Sequence, residues 1–192
     1  MALIQLNEND LIYLSTEYPK LKYDSENNTI SGLLDSKLTY GKTGHTLKIK
    51  YHIEIKLETK EKSILPIVRE SKNEIVNIAK RKKVSLADVH LSNRNGELCL
   101  IIPPKENKKY PSGFNLREYL YHIEEHLYWI TYFDRYNKPP WKAQAHGIDG
   151  YIELYKEDQE YRPAVKNTLE KHYGKTINRK LMRKLIKNRK RK

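Results

Sequence analysis

Leu47-Lys48-Ile49-Lys50-Tyr51-His52-Ile53-Glu54-Ile55-Lys56-Leu57 alternates apolar and polar residues over eleven positions. A period of two fits the pleat of a β-strand and no helix, so this stretch is a strand with one buried and one wet face, and His52 falls on the wet one. Working outward, Gly41-Lys42-Thr43-Gly44 precedes it as a turn. Before that, Thr29 to Leu34 reads as a strand, and Leu38-Thr39-Tyr40 either starts another or continues the first. Downstream, Ile64 to Val68 is the next strand, with Pro66 marking an edge or a bend because proline gives no ladder donor. A short helix precedes the meander, capped by Asn7-Glu8-Asn9-Asp10 and running through Tyr18 with Leu11, Ile12, Leu14 and Tyr18 as its stripe.

Helical signals follow. Glu74 to Lys83 places Ile75, Ile78 and Ala79 inward. After a polar loop from Lys105 to Gly113, Asn115 caps a helix from Leu116 to about Tyr132, with Leu116, Leu120, Ile123, Leu127 and Ile130 at spacings of three and four. Trp129, Tyr132, Phe133, Tyr136 and Trp141 form an aromatic cap, with Trp141 its exposed member. Gly150 to Tyr155 is short and alternating, and Arg162 to His172 is helical. Helix, three or four antiparallel strands and then helices is an α+β order.

The length suits one domain with a real core. Charged residues make up 32% of the chain and mean hydropathy is −0.83, as for a soluble protein. No apolar run approaches the ~20 residues of a membrane span, and Met1-Ala2-Leu3-Ile4-Gln5 has no signal-peptide pattern. A single cysteine excludes an internal disulfide and points to a reducing, cytoplasmic location. Of the net charge of +13, ten units lie in the last eighteen residues, which hold no acid. The expected organisation is a domain over residues 1–175 and a separable basic tail over 176–192. Three readings of that tail stand: a solvated end, a nucleic-acid or acidic-lipid patch, and a docking arm for an acidic partner. A second basic run is Lys80-Arg81-Lys82-Lys83.

The cysteine lies in Asn95-Gly96-Glu97-Leu98-Cys99-Leu100-Ile101-Ile102-Pro103-Pro104. Asn-Gly favours a tight turn, Leu98 to Ile102 reads as a short buried strand, and the prolines stop it. Cys99 is therefore either a held nucleophile or a small buried hydrophobe. His122-Ile123-Glu124-Glu125-His126 fits an inverted zincin pattern, with Glu153 or His146 as a third ligand. Two exposed helical histidines is the plainer reading, so no metal or other cofactor is expected. His146, in Ala145-His146-Gly147-Ile148-Asp149-Gly150, is either a base near Cys99 or a structural turn histidine.

The run His90-Leu91-Ser92-Asn93-Arg94-Asn95-Gly96-Glu97-Leu98-Cys99-Leu100 resembles the active-site segment of ubiquitin-conjugating enzymes. Asn-Gly-Glu-Leu-Cys-Leu matches position by position. The His-Pro-Asn half does not: His90 is one residue too close, no proline follows, and Leu91 stands where the family has asparagine. With Leu65-Pro66-Ile67-Val68-Arg69-Glu70 and Trp141…His146-Gly147-Ile148-Asp149-Gly150, the motif order is similar to that of the prokaryotic conjugating-enzyme-like proteins of short type II anti-phage cyclic-oligonucleotide (CBASS) operons, over roughly residues 8 to 155. The resemblance implies a conjugating-enzyme-like α+β fold, an antiparallel meander packed on helices, with extra C-terminal helices. It implies a Cys99 thioester with the C-terminus of a cGAS/DncV-like nucleotidyltransferase, passed on to an amine. His90, Asn93, Asn95 and His146 are the candidates for activating the thiol or the acceptor, with His146 first for the oxyanion and base roles that the family's asparagine leaves vacant. The rival classes are a non-catalytic binding module of the same fold, a nucleic-acid binder acting through the tail, and a zinc hydrolase.

Overall fold

The computed structural model describes residues 2–60 and 63–189, the side chains of 188 and 189 excepted. The expectations for Lys190, Arg191 and Lys192 lie outside the described residues. The chain divides into two units, Met1–Ile101 with Glu106–Lys142, and Ile102–Lys105 with Ala143–Lys192.

The first unit is α+β. Helix α1 (Glu8–Glu17) starts with a capping box in which Asn7 accepts from the Asp10 amide and Asp10 accepts from that of Asn7. It buries only Leu14, and Leu11 and Ile12 of the expected stripe stay exposed. Strands β1 (Leu21–Asp24), β2 (Thr29–Tyr40), β3 (His45–Thr59) and β4 (Pro66–Glu70) form one antiparallel sheet in sequence order. The alternation read in β3 is the observed burial: Leu47, Ile49, Tyr51, Ile53, Ile55 and Leu57 all face the core. Leu38–Tyr40 continues β2, in register with His45–Leu47 across the Gly41–Gly44 turn.

Helix α2 (Glu74–Lys82) buries Ile75, Val76, Ile78 and Ala79. Its N-terminus has no side-chain cap from Asn73. Buried Glu70, at the end of β4, fills that role by accepting from the Lys72 and Ile75 amides. Helix α3 (Glu106–Lys109) is a single turn within the expected polar loop, anchored because the buried Glu106 carboxylate accepts from the Ile64 amide and the Ser63 hydroxyl. Helix α4 (Leu116–Tyr136) is capped by Asn115, whose side chain accepts from the Glu118 amide. Its expected stripe is fully buried, and the burial extends to Tyr119, His122, Glu124, His126, Tyr128, Trp129 and Tyr132. The helix lies on β2 and β3 and also touches α1 and α2, so its flanks are covered as well as its apolar face. Trp141 stacks on Tyr128 and packs 4.2 Å from Tyr40, and its carbonyl accepts from Trp129 Nε1, so it closes the aromatic cap and is half-buried.

The second unit is helical: α5 (Gly147–Glu157), α6 (Arg162–Tyr173) and α7 (Arg179–Arg189). The alternation read at Gly150–Tyr155 is corrected to the body of α5, and His146 is the residue just before its first turn. Six residues are too few to separate a strand period from a helix with two covered faces. Gly150 is needed there because a Cβ would come within 2.1 Å of the Ala145 carbonyl oxygen and 2.8 Å of Ile102 Cδ1. The core of this unit is Leu154, Tyr161, Val165, Leu169, Ile177 and Met182, with Leu181, Leu185 and Ile186 packed against it. The boundary expected at 175/176 is therefore not a structural one. Residues 177–186 complete this core, because α7 carries an apolar face beneath its charges.

Candidate functional site around Cys99

Residues 90–99 form a narrow hairpin. The Cys99 amide donates to the His90 carbonyl at 2.8 Å, Leu91 bridges Leu98, and the Ser92 amide donates to the Glu97 carbonyl at 2.8 Å. The hairpin is stitched to the free edge of β4. Leu98 donates to the Val68 carbonyl at 3.0 Å, the Glu70 amide donates to Gly96 O at 2.8 Å, and Arg69 bridges Glu97. The strand expected over Leu98–Ile102 is thus displaced toward the turn and shrinks to bridges at Glu97 and Leu98. Pairing with the edge of β4 decides its position, and apolarity does not.

Gly96 makes this contact. Its φ is +79°, and a Cβ there would sit 2.1 Å from Glu70 O. The turn before it is closed by Asn93, whose Oδ1 accepts from the Asn95 amide at 2.9 Å while its Nδ2 donates to Glu97 at 3.1 Å. Lys60 pairs with the other Glu97 oxygen.

Cys99 is half-buried at the end of the hairpin. Burial pushes its thiol above the ordinary range, and the nearby Glu97 carboxylate adds to that; a hydrogen bond from the Ser92 side chain and the charge of Lys60 act the other way. Ser92 reaches the sulfur because it stands diagonal to Cys99 across the hairpin, on the same face. His90 meets Cys99 through its backbone. Its φ is +58°, and its ring packs edge-on 4.4 Å from Trp129 and 5.0 Å from His126.

His122 and His126, expected on an exposed face, are both buried. His122 Nδ1 meets the Tyr110 hydroxyl at 2.8 Å, and the ring also hydrogen-bonds the Leu100 backbone, next to Cys99. Burial first, and then the Lys109 charge, lower its pKa to about 3, so it is neutral at physiological pH. Donation to the Leu100 carbonyl leaves Nδ1 as the acceptor of the Tyr110 proton. Both ring nitrogens are thus engaged, Glu125 faces Lys109 at 3.7 Å, and Glu153 Oε2 accepts from the Ala145 amide. The described residues contain no cluster of three or more His, Cys, Asp or Glu arranged to hold a metal ion. The exposed pair expected here is corrected accordingly: both histidines are buried and build the support under the cysteine segment. Sequence reasoning missed Ser92, Tyr110 and this role of His122. The one available signal was His122 lying one position from the core stripe.

His146 belongs to the second unit, where it precedes α5 in an extended conformation. No helix of the described residues is long and apolar enough to cross a membrane. Comparison with protein-family models, with curated proteins and with solved structures finds no match in any of the three.

Proposed function

We propose that the chain is a conjugating-enzyme-like acyl carrier in which Cys99 takes up a protein C-terminus as a thioester and passes it to an amine. The observation that carries this reading is the setting of Cys99. It stands on a hairpin locked to the last strand of a four-stranded meander, next to the Leu100 backbone that His122 of the long helix α4 holds, with a hydroxyl beside the sulfur. In the first step the sulfur displaces the leaving group of an activated acyl carbon, and the thiol proton is lost to solvent or a base. In the second an amine nitrogen attacks the thioester carbonyl, the C–S bond breaks, and the thiol is restored.

The raised thiol pKa fits a carrier. A high-pKa thiol is populated as thiolate only sparingly at rest, yet it is also a poor leaving group, which lengthens the life of its thioester. The resemblance adds the donor: the C-terminus of a cGAS/DncV-like nucleotidyltransferase in anti-phage signalling. Asn93 is the proposed organiser of the turn before the cysteine.

Intact-mass spectrometry tests the reading. The full chain is incubated with a peptide α-thioester that ends in the donor's C-terminal residues. A thiol-labile adduct, absent in Cys99→Ala and retained as an oxyester in Cys99→Ser, is the expected result. An unmodified complex would instead establish a binding module with an inert thiol.

A further inference from the structure

The charge of the second unit is not spread over it. From Arg162 onward there are 13 Lys and Arg residues and one acid, Glu170. That acid is already engaged: its Oε1 accepts from the Ile177 amide at 2.8 Å and lies 3.7 Å from Lys166. On α7 the apolar residues Leu181, Met182, Leu185 and Ile186 turn into the core of the unit. Arg179, Lys180, Arg183, Lys184 and Lys187 are exposed and form no ion pair with another described residue. The other basic run behaves differently. Arg81 pairs with Asp134 at 2.6 Å and Lys82 donates to Asn137 at 2.6 Å, so both are used inside the first unit.

We infer that the outer face of α7 is a docking surface for the phosphate backbone of a nucleic-acid duplex, read without regard to sequence. Arg179, Arg183 and Lys187 stand four residues apart on one line, and Lys180 and Lys184 on the line beside it. Over these nine positions the helix rises about 12 Å. A duplex carries one negative charge per about 1.7 Å of its axis with both strands counted, so about seven phosphates lie along that length to be met by five cations. Two features favour a duplex over other polyanions. Insertion into an acidic bilayer needs an exposed apolar face, and the apolar face of α7 is buried in its own unit. Single strands are held by stacking on aromatic side chains, and α7 has none.

This surface is independent of the chemistry at Cys99. Fluorescence anisotropy of the full chain with a labelled 20-base-pair duplex tests it. Between 50 and 200 mM salt the wild-type affinity should fall roughly 500-fold or more, as expected for five or more phosphate contacts. Replacing all five residues with Gln should flatten the slope of log affinity against log salt by about four. Lys180→Arg, Lys184→Arg and Lys187→Arg together should leave it unchanged. Single Gln replacements should each remove about one unit of slope, and they carry the test if the fivefold variant loses its helical signal. A slope that stays within one unit of wild type in the fivefold variant overturns the proposal. So does tighter binding to phosphatidylserine vesicles than to the duplex at equal salt, which would make the partner a membrane surface.

Discussion

The two units treat polarity in opposite ways. The sheet unit buries Glu70, Glu106, Glu124, His122 and His126 and gives them partners; the helical unit keeps an apolar core and carries its charge outside. A buried polar group is costly unless its hydrogen bonds are met, but once they are met it fixes one geometry. Glu70 and Glu106 fasten the loops on either side of the cysteine hairpin, and His122 holds the segment after it. Rigidity is placed around Cys99. The helical unit, with little buried polarity, depends on the amount of apolar surface it covers.

The sharpest test of that dependence is removal of residues 176–192. Ile177 and Met182 are fully buried, and Leu181, Leu185 and Ile186 are partly so. At 1.5–3 kcal/mol for each fully buried side chain, the deletion should cost about 5 kcal/mol or more. Hydrogen exchange reads this as loss of protection at Leu154, Val165 and Leu169. Retained protection would make α7 a decoration on the unit and break the contrast.

In the sheet unit one methyl group should do comparable damage. Gly96→Ala meets both the positive φ and the Glu70 carbonyl, so the hairpin must leave β4. The expected loss is about 3 kcal/mol by urea denaturation, from backbone strain and the forced shift together. A stability within 0.5 kcal/mol of wild type would show that the hairpin is not locked.

These two sites mark how far the sequence could be read. The β3 alternation, the cap at Asn115 and the α4 stripe lie in local pattern, and they came through as read. β1 did not, since its four residues include Lys22 and Asp24 and pair only because β2 offers an edge. The strand at Leu98–Ile102 was misplaced because an apolar run does not say which edge it will join. The tail from Asn178 reads as helix-prone and basic, and α7 is that helix; the packing of its apolar face, Leu181, Met182, Leu185 and Ile186 at helical spacing, is what the charge density hides. His122 was hard to read for a physical reason: its partners, Tyr110 and the Leu100 backbone, come from across the loop, and on its own helix it shows only as a neighbour of the core stripe.

His122 also sharpens the contrast through pH. Its folded-state pKa, near 3, is below that of the unfolded chain, so the folded protein binds fewer protons, and stability falls as pH drops below about 6.5. Burial raises the pKa of Glu70, Glu106 and Glu124, so their contribution moves the other way, increasing as pH falls. Those carboxylates are common to the wild type and to His122→Gln and cancel in the difference. Between pH 7.5 and 5 the wild type should lose about 2 kcal/mol relative to His122→Gln. A difference that does not change with pH would mean that the imidazole takes up a proton inside the fold.

The smallest effect concerns Ser92, the one group beside the sulfur that favours the thiolate by hydrogen bonding. Its removal leaves the apolar surroundings and the Glu97 charge to act on Cys99 unopposed except by Lys60. The thiol should become harder to ionise, and the hairpin should survive, because the Ser92 amide still donates to the Glu97 carbonyl. One net hydrogen bond of roughly 1 kcal/mol corresponds to about a fivefold fall in the iodoacetamide rate at pH 7.5 in Ser92→Ala. The pH profile separates this from a change of access. A shift in ionisation moves the midpoint upward and leaves the high-pH plateau where it was, whereas a hydroxyl that merely shields the sulfur would raise the plateau when removed. An unmoved midpoint would leave the thiol of Cys99 governed by burial and charge alone, and its hairpin a scaffold that holds the sulfur without tuning it.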